Sequence, residues 1–131
     1  MLWALYGIMN IVPLNKHDFE TCDLLDTALD NVVSRKIPEL LEWLQDMNWP
    51  VFERVADRLS KLDEQLVEPI SEILNGNDEI WKYCLISGLF PRLNKSIVKR
   101  LHPLLVRIAS EPTETEKLEE VNIVAKEVLC E

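Results

Sequence analysis

Asp23, Asp26 and Asp30 are spaced i, i+3 and i+7 along the chain. On a helix that spacing gathers three carboxylates on one face, where they can meet a hard divalent cation or a basic partner. Metal sites draw their ligands from several segments, whereas acids confined to one helix face form a solvated ridge. The ridge is therefore assigned to contact with a partner, and no metal is expected. Arg92, Lys95, Lys99, Arg100 and Arg107 form the one basic cluster, with no acid between its ends. Helix spacing would let some of these bases track phosphates. No aromatic residue is interleaved with them, however, so nucleic acid is the secondary reading. The other role for these bases is to meet the acidic C-terminal helix, within the chain or in another copy.

Catalytic patterns are absent. The sequence contains no Walker A loop, no GxGxxG, no HExxH and no GxSxG, so no cofactor is expected. An enzyme would have to assemble a site across helices from Asp18, Asp46 and His17; His102, the other histidine, stands far away beside Pro103. A third group, Asp46, Asn48 and Trp49, falls where one helix ends and Pro50 begins the next. The free backbone groups of two helix ends must be satisfied there, so these residues read as a corner first and as a partner-binding site second.

The elements that position these residues are helical. Apolar residues recur at helical spacing from Phe19 through Cys22, Leu25, Ala28 and Leu29 to Val33, giving a first helix over Asp18–Val33 with Asp18 at its start. A second helix begins near Pro38 and buries Leu40, Leu41, Trp43 and Leu44; a third begins at Pro50 with Val51, Val55, Leu59 and Leu62 inward. A fourth runs over Gln65–Asn75, and Gly76 stands where a left-handed C-terminal residue is wanted. Asn77 or Asp78 caps a fifth, which carries Ile80, Trp81, Cys84, Leu85 and Leu89 inward as far as Pro91. A sixth covers Lys95–Ser110. The Thr113/Glu116 spacing marks a capping box before a seventh with Leu118, Val121, Val124 and Val128 inward. No period-two run competes with this reading.

The chain has 131 residues, 47% of them hydrophobic and 28% charged, which suits one packed domain. The formal charge of −9 is uneven: net −11 from Asp18 to Glu79, five bases and no acid from Arg92 to Arg107, and net −5 from Glu111 to Glu131. Such a balance disfavours nonspecific binding to nucleic acid or anionic membranes over most of the surface. Cys22, Cys84 and Cys130 are odd in number and widely spaced, which reads as reduced thiols in a cytoplasmic protein. The apolar opening MLWALYGIM is far shorter than the roughly 20 residues of a membrane span. Residues 1–11 are expected to be an extension or a misassigned start, with Met9 as an alternative first residue, and residues 12–131 the domain.

KIPELLEWL, VEPISEIL and LHPLLVRIA each place an apolar residue one or two positions before a proline (Pro38, Pro69, Pro103) and an apolar pair after it, the phase shifting by one around Pro69 and Pro103, with proline spacings of 31 and 34 residues. This period is near those of helical-hairpin arrays. The fold expected is all-α, a short right-handed α-solenoid of about seven helices in HEAT-like hairpins.

The segments VPLNKHDFE, IPELLEWLQDMNWPV, DEIWKYC and EEVNIVAKEVL, which together span the chain from Val12 onward, resemble a bacterial family known as domain of unknown function 5071. The chain departs from that pattern at NVVSRK, before Ile37, where a more apolar lead-in is expected. The resemblance implies a compact helical-repeat domain that begins near Val12. It implies no activity, so no catalytic residue is transferred. The function expected is a protein-interaction module for a basic partner, a toxin-neutralising immunity protein being one concrete form. Its oligomeric state is expected to be monomer or homodimer, the latter through an apolar C-terminal edge.

Overall fold

The computed structural model of the protein describes residues 10–131. Among these residues there are nine α-helices and no strand. They are α1 (Phe19–Thr27), α2 (Asp30–Ser34), α3 (Ile37–Glu42), α4 (Phe52–Leu59), α5 (Val67–Leu74), α6 (Glu79–Cys84), α7 (Lys95–Ser110), α8 (Glu114–Leu118) and α9 (Val121–Leu129). A 3-10 turn, Glu64–Leu66, leads into α5, while α6 continues as a π turn, Leu85–Leu89, and a 3-10 turn, Phe90–Arg92. The expectation of an N-terminal extension falls mostly outside the described residues. Ile11, within it, is buried in the core.

Side-chain caps set four of the helix starts. Asp18 accepts from the Thr21 backbone N–H at 3.1 Å, Asp78 from Trp81 at 3.0 Å and Asn94 from Ser96 at 2.9 Å. Thr113 and Glu116 close the reciprocal capping box, with Glu116 N–H on Thr113 Oγ1 at 3.1 Å and Thr113 N–H on Glu116 Oε1 at 2.9 Å. One continuous core joins Leu25, Leu40, Leu44, Val55, Leu59, Ile70, Leu85, Leu101, Leu105 and Val121. Within it α1 and α3 pack on α4, α5 packs on α7, α7 runs along α9, and the π turn bridges α4 and α9.

Nine helices arise where seven are expected chiefly because two of the expected helices break. The first, over Asp18–Val33, is interrupted at Ala28 and Leu29, whose ψ angles of 147° and 150° are extended. The cause lies on α4. Arg58 is buried there and donates from Nε to Leu25 O at 3.2 Å and from Nη2 to Ala28 O at 2.9 Å and Asp30 Oδ1 at 2.7 Å. A guanidinium that binds carbonyls at the end of α1 satisfies backbone acceptors which a continuous helix would have paired internally. Leu29, expected inward, is consequently turned out to solvent. The seventh helix breaks at Glu120, the one non-glycine residue with positive φ among those described (61°).

Three further local expectations change. Gly76 does not adopt a left-handed conformation. Pro103 lies inside α7 and not in a first turn, so the proline correspondence behind the repeat does not extend to it. It faces solvent, where water can take up the carbonyl its missing N–H leaves free. The helix after the corner begins at Phe52, with Val51 at its N-cap position, and not at Pro50.

Replacing Arg58 with methionine keeps most of the apolar stem but removes the buried donor to the Leu25 and Ala28 carbonyls and the partner of Asp30. We expect a loss of about 2–4 kcal/mol in urea denaturation, and an unchanged midpoint would contradict this account of the α1 break.

Candidate functional site

The acidic ridge is exposed but engaged. Arg54 Nη2 reaches Asp23 Oδ1 and Asp26 Oδ2, both at 2.7 Å, and Asp30 holds Arg58. One α4 arginine thus spans two acids of α1, and a second, one turn on, takes the third. The basic cluster is also divided. Arg92 pairs with Asp57 at 3.2 Å, Arg100 with Glu64 at 2.9 Å and Arg107 with Glu116 at 2.6 Å, whereas Lys95 and Lys99 have no ion-pair partner among the described residues.

At the corner, Asp46 Oδ1 accepts from Asn48 N–H at 2.8 Å and Asp46 O from Trp49 N–H at 3.2 Å. Trp43 and Trp49 meet edge to face with ring centroids 5.4 Å apart. This is the turn chemistry the corner requires. Asp18 accepts from Thr21 Oγ1 and from the backbone N–H groups of Leu14 and Thr21, which hold its carboxyl below the usual carboxylate range and unsuit it as a base. His17 and His102 are exposed. Cys22 and Cys84 are buried free thiols that burial pushes up, away from the reactive thiolate, and Cys130 is exposed. Among the described residues, no group of three His, Cys, Asp or Glu side chains is arranged to hold a metal ion.

A different cluster emerges where α6, α7 and α8 meet. Glu116 is fully buried, at 0% exposure, and Lys82 is 3% exposed. The Glu116 carboxylate accepts from Arg107 Nη1 at 2.6 Å, Arg107 Nη2 at 2.9 Å, Lys82 Nζ at 3.0 Å and Thr113 N–H at 2.9 Å. Lys82 also pairs with Glu79 at 2.7 Å. Burial alone would push Glu116 up. The bidentate guanidinium, the Thr113 N–H and the Lys82 ammonium outweigh it and hold the carboxyl at about 2. The Arg107 guanidinium is raised in turn, chiefly by its bonds to Glu116.

Directly beside this buried charge the polarity is inverted. Ile80, two positions before Lys82, is 59% exposed, and Leu118, two positions after Glu116, is 77% exposed. Two positions turn a helix by about 200°, so fixing Lys82 and Glu116 inward sends Ile80 and Leu118 outward. The inward assignment of both residues from sequence is thus reversed. They line one open groove of about 570 Å³, edged by Asp78, Glu79 and Glu119. A neighbouring recess of about 320 Å³ carries it past Tyr83 to Glu120.

Residues 11–129 match the family described as Domain of unknown function (DUF5071). The chain belongs to this family. No curated protein sequence matches it. The DUF5071 match takes in Ile11 at the edge of the core, Lys82, Arg107 and Glu116 of the ion network, and both apolar residues of the groove.

Glu116, held at about 2 against an ordinary 4.5, stabilises the fold fully above pH 4.5 and loses that contribution as pH falls towards 2. The linkage corresponds to about 3 kcal/mol. Glu116→Gln should cost a similar amount in urea denaturation near neutral pH and flatten the acid limb of stability against pH. An acid limb identical to wild type would show that the network is not closed in solution.

Proposed function

We propose that this DUF5071 protein is a protein-interaction module that binds a basic partner, and that its helices form a short right-handed α-solenoid of HEAT-like hairpins. The packing of α3 on α4, α5 on α6 and α7 on α9, each close in sequence, supports the hairpin reading.

The observation that carries the functional reading is the charge left over after internal pairing. Arg54, Arg58, Arg92, Arg100 and Arg107 are all held in intramolecular ion pairs. Glu20, Glu42, Glu68, Glu72, Glu119 and Glu120 have no cation partner among the described residues and are exposed. Lys16, Arg35, Lys61, Lys95, Lys99 and Lys126 are likewise exposed without an ion-pair partner among the described residues, but Asp63, Glu111, Glu127 and Glu131 add to the unpaired acids, so the charge offered to another molecule is mainly negative. A basic protein would be steered towards it, with the attraction screened by salt. The same pairing weakens the nucleic-acid reading, since Lys95 and Lys99 are what remains uncommitted of the basic cluster. No described helix is long and apolar enough to cross a membrane.

Fluorescence anisotropy with three labelled probes tests this. The probes are a lysine/leucine amphipathic peptide of about 18 residues, five helical turns, its glutamate/leucine counterpart, and a DNA oligonucleotide. The expected result is binding of the basic peptide alone, lost in about 1 M salt, where the screening length is roughly 3 Å. Equal affinity for the acidic peptide, or tighter binding of the oligonucleotide with a steep salt dependence, would contradict the proposal.

A further inference from the structure

The corner of α6 and α8 breaks the ordinary rule of burial in both directions at once. A lysine and a glutamate occupy enclosed positions, and an isoleucine and a leucine two residues away stand in solvent. Exposed aliphatic side chains occur singly on any surface. Here two of them, from separate helices, line the same groove. Places where local sequence and burial disagree are where a fold gives up stability for function.

The charge around the groove narrows the occupant. Glu119 and Glu120 border it without ion-pair partners, and Asp78 and Glu79 stand on its other side. Asp78 is engaged as the α6 cap and Glu79 with Lys82, so Glu119 and Glu120 are the carboxylates free to meet incoming cations. Glu120 also sits in the left-handed region, at φ 61°. The turn it makes lets α8 end with Leu118 outward and α9 begin with Val121 fully buried. Lys117, which does not line the groove and forms an exposed pair with Glu114, leaves the rim acidic.

We propose that the Ile80/Leu118 groove seats the apolar face of a basic amphipathic segment of another protein, with Glu119 and Glu120 binding its lysines or arginines. This rests on the functional reading above and adds to it the docking surface and the amphipathic character of the partner. An apolar anchor ringed by charge that excludes the wrong partner is how such grooves combine affinity with selectivity.

The test uses the full chain, the lysine/leucine peptide and two variants, Ile80→Ser/Leu118→Ser and Glu119→Lys/Glu120→Lys. All four positions are exposed, so circular dichroism melts should stay close to wild type and serve as the control for folding. The serine variant should lose about tenfold or more in affinity. The lysine variant should lose a similar amount together with most of the salt dependence. If wild type binds the peptide and both folded variants bind it equally well, the groove assignment is overturned while the functional reading stands. If wild type does not bind the basic peptide, or binds the acidic one as tightly, the functional reading fails and takes this inference with it.

Discussion

The carboxylate of Glu116 is the point on which the C-terminal half of the molecule turns. Its four donors come from three elements: Lys82 on α6, Arg107 on α7 and the Thr113 cap of α8. Relative to aliphatic side chains of similar volume, a buried ion pair contributes little net stability, because desolvation offsets most of the attraction. What it supplies is register. An aliphatic contact tolerates sliding and rotation, whereas a carboxylate enclosed by a bidentate guanidinium, an ammonium and a backbone N–H accepts one arrangement of the helices that carry them. Once that arrangement is set, the outward positions of Ile80 and Leu118 follow from helix geometry.

A second set of ions does comparable work in the N-terminal half. Arg54 and Arg58, one turn apart on α4, meet Asp23, Asp26 and Asp30 of α1 and α2, and Arg58 also takes up the Leu25 and Ala28 carbonyls. The exposed Arg54 contacts add little by themselves. The buried Arg58 contacts fix where α1 stops. In both halves a cation reaches across a helix boundary to an acceptor that the local backbone leaves open. The consequence for the surface is an uncommitted charge that is mostly acidic.

The helical class and several helix starts were legible because they rest on local chemistry. Asp18, Asp78 and the Thr113/Glu116 box are each recognisable from a few adjacent residues, and Asp46, Asn48 and Trp49 lie in the turn that their types suggest. What periodicity missed were the consequences of long-range contacts. Nothing near Ala28 announces an arginine 30 positions away donating to its carbonyl. The π turn at Leu85–Leu89 shifts the helical phase, and Gly88 permits it by leaving room for Phe52, whose Cε1 would lie 2.5 Å from an added Cβ. Glu116 reads from sequence only as half of a cap, and no local pattern marks Lys82. A regular 100° wheel accordingly placed Ile80 and Leu118 inward. The signal available was the capping glutamate itself, whose side chain must lie back along the helix start and so can be enclosed by whatever packs there.

The most direct measurement of the central constraint is an NMR titration of the Glu116 side-chain carboxyl carbon in the folded protein. A closed network predicts a midpoint at about 2, accompanied by loss of the fold as the carboxylate protonates. A midpoint at or above the ordinary 4.5 would mean that Arg107 and Lys82 do not hold it, and that the register of α6, α7 and α8 has another origin.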